Sequence, residues 1–133
     1  MKNLNPLQKE INLRQAVLLG KDISNAELCN ADLQKTNLKG YDFTDKDLTS
    51  INLSEAFLTG SNFTGAILRN ANLSGAKIDR IWERYNNQSI VMMAGADLEQ
   101  ANLSSADLRK ADFTDSNLKN ANLKGASLKN ACF

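Results

Sequence analysis

Residues 96–108 read Ala96-Asp97-Leu98-Glu99-Gln100-Ala101-Asn102-Leu103-Ser104-Ser105-Ala106-Asp107-Leu108, one triplet stated three times at five-residue intervals. The triplet recurs at Ala26-Glu27-Leu28, Ala31-Asp32-Leu33, Ala71-Asn72-Leu73 and Ala121-Asn122-Leu123. Leu, Ile or Phe stands at every fifth position from Leu13 to Ile78, which is fourteen pentads, and again from Leu98 to Phe133, which is eight more. A period of five walks right round a 3.6-residue helical turn and leaves no apolar stripe, so these pentads are not helical. Within a triplet the order small, polar, large alternates inward and outward as a short strand does. The two residues that follow are mostly Ser, Thr, Asn, Lys or Gly, suited to a solvent-facing corner.

Gly20, Gly40 and Gly60 stand twenty residues apart, and Phe43–Phe63 and Phe113–Phe133 repeat that interval. One corner therefore recurs every four pentads, and four pentads make a coil. On these residues the chain resembles the pentapeptide-repeat family from Ile11 to Phe133, apart from one interruption. The resemblance implies an all-β, right-handed quadrilateral β-helix, in which each central Leu or Phe stacks on its counterpart one coil away. The small residue before it lies close to the corner, where Ala fits. Lys21 and Lys46 hold that slot, and their ammonium groups should snorkel outward because an unpaired buried charge is costly. Tyr41, twenty residues after Lys21, should sit over it.

The pattern stops between Ile78 and Leu98. If Val91-Met92-Met93-Ala94-Gly95 is a degenerate pentad, the insertion is residues 81–90, leaving a corner where a solenoid tolerates extra chain. This register sets Phe43, Phe63, Met93, Phe113 and Phe133 in one stack, which neither excision of the whole stretch nor a complete irregular coil achieves. Residues 1–10 are expected to form an N-terminal cap, with Asn5-Pro6 opening a short helix to Glu10. The C-terminal coil is expected to be uncapped and so open to pairing with another copy as a homodimer.

Sixteen basic and fifteen acidic side chains leave a net charge of +1, so no long-range field draws in nucleic acid or a membrane surface. No apolar run approaches the roughly 20 residues of a membrane span, nor does the start of the chain read as a signal peptide. The expected location is cytoplasmic. Cys29 and Cys132 fall several coils apart, too far for a disulfide. The chain has no histidine, the commonest general base and metal ligand. Outward carboxylates such as Asp22, Asp32, Asp42, Asp97, Asp107 and Asp112 follow the repeat, with Asn substituting freely, and read as strand solvation instead of acid–base pairs or a calcium ladder. The expectation is a chain with no enzymatic activity, no cofactor and no metal.

Trp82, Arg84 and Tyr85 in the insertion are the candidate contacts for a protein partner, because aromatic residues and Arg are enriched where proteins meet. The competing reading packs both rings against outward Phe57 or Ile67. The resemblance implies a protein-interaction or scaffold module of the kind bacteria, especially cyanobacteria, carry in many copies. Some family members protect type II topoisomerases by imitating DNA. The balanced charge and the lack of a C-terminal dimerisation helix count against that. An ice-binding role would need long threonine ladders, and the best column, Ser24-Thr44-Thr64, ends after three members.

Overall fold

The computed structural model describes residues 27–78 and 90–133, in which single outward residues pair by parallel β-bridges between successive coils. Asp32 pairs with Asn52 and Asn52 with Asn72, a step of twenty residues. The step becomes thirty across the interruption, where Asn62 pairs with Met92 and Asn72 with Asn102, and returns to twenty beyond it, where Met92 pairs with Asp112. Ten more residues therefore lie between paired positions there than elsewhere. No α-helix occurs among the described residues, and the helix expected over Asn5 to Glu10 lies outside them.

Four walls follow from this pairing. Wall 1 carries Leu28, Leu48, Leu68, Leu98 and Leu118 inward; wall 2 carries Leu33, Leu53, Leu73, Leu103 and Leu123. Wall 3 carries Leu38, Leu58, Ile78, Leu108 and Leu128, and wall 4 carries Phe43, Phe63, Met93, Phe113 and Phe133. The inward residues through Phe113 are buried. The Phe43 and Phe63 rings stack at 4.9 Å and those of Phe113 and Phe133 at 5.4 Å, close to the spacing of adjacent strands, so ring stacking costs the ladder nothing. In the coil 114–133 the inward leucines are half-buried and Phe133 is 67% exposed.

The corners hold what the repeat did not advertise. Every described pentad ends in the left-handed region, six times on glycine and twelve times on another residue, with φ between 55° at Asp45 and 61° at Lys110 and Asn130 for the latter. That residue is the third of a β-turn closed from residue one to four, as in the 3.0 Å bond from the Ala101 N–H to the Leu98 carbonyl. A type II turn demands positive φ there. The conformation costs a side-chain-bearing residue roughly 1–2 kcal/mol. In return the strained residue's own N–H reaches the next coil, as from Gln100 to the Lys119 carbonyl at 2.9 Å. Gly40 lies at the same corner as Gly60, and a Cβ there would meet nothing, whereas one at Gly65 would collide with the Asp45 carboxylate.

The slot before each inward Leu is as tight as Ala requires: Ala56, Ala66, Ala96 and Ala101 are fully buried. Ser61 fits the slot by donating its hydroxyl to the Leu58 carbonyl at 2.6 Å. Lys46 is half-buried in the same position, and Tyr41 is half-buried with its ring 6.1 Å from Phe43. Lys21 lies outside the described residues.

Candidate interaction surface

What can meet a partner is the outward residue of each triplet together with the corners. Every Asp or Asn in a described outward slot bonds its own corner, its side-chain oxygen accepting from the N–H two residues on. The distances run from 2.8 Å at Asp32 to 3.5 Å at Asp107. Asn and Asp alone have a carbonyl-type oxygen at this reach, which is why the two interchange and why longer Glu is rare in the slot. The carboxylates read as strand solvation are thus turn-forming groups, apart from Asp22, which lies outside the described residues. Free exchange of Asn for Asp was the signal in the sequence that could have shown it.

On wall 2 the slot becomes a ladder. The Asn52 amide donates to Asp32 at 3.2 Å, Asn72 to Asn52 at 3.4 Å, Asn102 to Asn72 at 3.5 Å and Asn122 to Asn102 at 3.2 Å. The hydroxyls of Thr44 and Thr49 donate to Asp42 and Asp47. Together with the Thr44 and Thr49 N–H groups they hold those carboxyls below the ordinary value, as Thr114 does for Asp112. Burial pushes the Asp97 carboxyl up, but the bonds from Arg69 and the Glu99 N–H outweigh it and the net direction is down.

Charge is sorted by side. Asp42 and Asp112 on wall 4, Asp45 and Asp115 at its corner with wall 1, Glu27, Asp47 and Asp97 on wall 1, and Glu99 at the far corner of wall 1 outnumber Lys46, Arg69 and Lys119, of which Arg69 bonds Asp97 and Lys119 lies 3.2 Å from Glu99. Across the rod, wall 3 and its two corners carry Lys35, Lys39, Lys77, Arg109, Lys110, Lys124 and Lys129 against Glu55 and Asp107. Glu55 lies 3.7 Å from Lys35 and 4.0 Å from Lys77, and Arg109 binds Asp107 with both ends of its guanidinium, at 2.7 and 2.8 Å. The net charge of the chain conceals this division because the two sides cancel.

Two outward slots carry large apolar side chains that are exposed. Phe57, 38% exposed on wall 3, lies between the ammonium groups of Lys39 at 5.8 Å and Lys77 at 5.6 Å. Ile67, 40% exposed, sits on the opposite wall 1 and pairs with Asp47 and Asp97. The two positions expected to receive Trp82 and Tyr85 therefore do not adjoin each other, and only Phe57 borders the corner from which the insertion leaves. Trp82, Arg84 and Tyr85 lie outside the described residues, as does Gly20. Cys29 and Cys132 are free, exposed and on different sides of the coil. Among the described residues no three acidic or sulfur ligands gather where a metal could be held, and no helix is long and apolar enough to cross a membrane.

The family model for pentapeptide repeats matches residues 9–45, 47–80 and 93–133 in eight copies. A pentapeptide repeat protein from the Arabidopsis thaliana thylakoid lumen is 26% identical, with 79% of this chain and 63% of that one covered and a TM-score of 0.56. One from the cyanobacterium Cyanothece 51142 is 34% identical over 77% of this chain and 64% of that one, with a TM-score of 0.45. Another, from the cyanobacterium Nostoc and involved in heterocyst differentiation regulation, is 30% identical over 77% and 47%, with a TM-score of 0.37. The chain spans between about half and two-thirds of the length of these structures. No curated protein matches it in sequence.

Proposed function

The chain belongs to the pentapeptide repeat family, a right-handed quadrilateral β-helix, and from that premise we propose that it is a protein-binding rod without catalytic chemistry of its own. The observation that carries this reading is the sorting of charge onto opposite sides of a rigid coil. Among the described residues the solenoid core is filled with Leu, Phe and other apolar side chains, which leaves no interior site there. The outward Asp and Asn oxygens serve corner bonds and do not converge on a shared point. What remains for recognition is flat, patterned surface, which the stacked coils hold at fixed spacing. Free cysteines fit a reducing, cytoplasmic setting.

The binding surface comprises wall 3, with Phe57 in its cationic frame, together with the candidate contacts Trp82, Arg84 and Tyr85 of the insertion 81–90, which follows wall 3 in sequence. The DNA-mimic alternative deserves a magnitude, because the acidic side removes the simplest objection to it. Seven carboxylates lie along five rungs about 4.8 Å apart, where duplex DNA of the same length, roughly 19 Å, would carry about 11 phosphates. Lys46 and the Arg69 bonded to Asp97 offset two of the seven, and Lys119 offsets Glu99 beside them. The acidic side is a weaker field than DNA, and a protein partner is the better reading.

Capture from cell lysate tests it, using wild type beside Lys39→Glu/Lys77→Glu and Trp82→Ala/Tyr85→Ala variants with unchanged circular dichroism. A partner retained by wild type and lost by either variant supports the proposed surface. A partner held equally by all three places recognition elsewhere on the coil.

A further inference from the structure

Phe57 and Ile67 are anomalies of one kind. Each occupies the slot that the repeat gives to Asp or Asn, each forgoes the side-chain bond to its corner, and each leaves a large apolar surface in water. They are ten residues, half a coil, apart, and so lie back to back on walls 3 and 1. Their charged frames are opposite in net sign: Lys39 and Lys77 flank Phe57, while Asp47 and Asp97 flank Ile67 in its ladder, Asp97 carrying an exposed bond from Arg69 and Asp47 none from an arginine among the described residues. An acidic partner would account for Phe57 and leave Ile67 unexplained; a basic partner would do the reverse.

We infer that a second copy of this chain docks side by side with the first, wall 3 of one against wall 1 of the other, with Phe57 covering Ile67. With the rods parallel and shifted by half a coil, Lys77 lies opposite Asp97. With them antiparallel, Lys77 lies opposite Asp47. Both arrangements pair unlike charges around an apolar centre, the layout of a small interface core with a polar rim. Because the two surfaces differ, the contact is heterologous and each added copy presents a fresh surface, so rows of more than two form at high concentration. A wall three residues wide and five rungs tall covers only a few hundred square ångströms per copy, at the small end of specific interfaces. The association is therefore weak and sensitive to salt. This inference does not rest on a foreign partner, and purified protein suffices to test it.

The experiment is sedimentation velocity on the full chain across a concentration series. Wild type should gain mass with concentration at ~0.01 M ionic strength and return to monomer near ~1 M, as the Debye length falls from about 30 to about 3 Å. Phe57→Asp and Ile67→Asn each install the repeat's own residue and so preserve the fold. Each alone should associate at least about tenfold more weakly. The first keeps wall 1 and the second keeps wall 3, so an equimolar mixture should form one-to-one pairs that grow no further, a result that only a two-sided contact yields. Wild type that stays monomeric overturns the inference, as does association that strengthens with salt. Variants that associate as wild type does would indicate end-to-end pairing instead. A change in fluorescence of Trp82 on Phe57→Asp, with wild type monomeric throughout, would assign Phe57 to residues 79–89 of its own chain. Retention of a DNA oligonucleotide by a monomeric wild type, lost on Lys39→Glu/Lys77→Glu, would assign wall 3 to nucleic acid.

Discussion

Walls 2 and 3 share an inward column of aliphatic residues and differ almost entirely outside it. Wall 2 keeps Asp32, Asn52, Asn72, Asn102 and Asn122 in the outward slot, and each amide bonds both its own corner and the rung below. Wall 3 runs Asn37, Phe57, Lys77, Asp107 and Ser127, and no ladder of side-chain bonds joins them. Both walls form parallel bridges, as between Asn52 and Asn72 on wall 2 and between Phe57 and Lys77 on wall 3. The coil is therefore closed by inward packing and corner geometry, while the outward slot is a reserve: where it follows the repeat it adds bonds, and where it departs it is available to a partner.

The largest expected effects test whether the walls really are alike inside. Leu53→Ala on wall 2 and Leu58→Ala on wall 3 each empty a fully buried site, and each should lose about 2–5 kcal/mol in urea denaturation. A difference well beyond that spread would mean the walls differ in packing as well as in surface. Next comes the outward slot. Asn72→Ala removes the bond to the Ser74 N–H and two rungs of the ladder, and should cost about 1–3 kcal/mol, whereas Lys77→Ala, which sheds an exposed pair with Glu55, should stay within about 0.5 kcal/mol. Equal losses would end the distinction between a structural and a free wall. Phe57→Asn carries the comparison across, giving wall 3 one rung of wall 2's chemistry. In dilute solution it should melt no lower than wild type and gain up to about 1 kcal/mol, the net worth of one new hydrogen bond.

Period and spacing carried most of the fold, because a filled solenoid places one large side chain per pentad and tolerates nothing else at that depth. Coil length was legible in Gly20, Gly40 and Gly60 for a weaker reason. Glycine at one corner hid the fact that every described corner is left-handed, and Lys110, Ser105 and Glu55 give no local sign of it. Turn closure and the cross-coil N–H bond impose that conformation, and both are tertiary. The division of charge was hidden for a related reason. Arg109 and Asp45 acquire a side only after the chain is wound, so net charge misdescribed the surface. The aromatic insertion drew the sequence reading toward Trp82 and Tyr85, while Phe57 and Ile67 registered only as places for those rings to land.

The smallest effect concerns which atom makes the corner bond. Wall 2 mostly uses amides, which do not titrate, while Asp42, Asp47 and Asp112 use carboxylates held below their ordinary value of 3.8 by threonine hydroxyls and N–H groups. A carboxyl depressed in the folded state stabilises the fold at pH above that ordinary value, and the contribution disappears as pH falls through the folded value. Asp42 and Asp47 are exposed and Asp112 is only half-buried, so screening by water keeps the effect slight. Asp47→Asn keeps the acceptor oxygen and removes the titration, so its melting temperature should fall less than that of wild type between about pH 5 and pH 2. Thr49→Val, which removes the hydroxyl but not the N–H, should raise the Asp47 carboxyl toward its ordinary value in an NMR titration. If Asp47→Asn instead lost stability at every pH, the carboxylate's charge would matter beyond its hydrogen bonds, and the exchange of Asn for Asp along this repeat would need a different explanation.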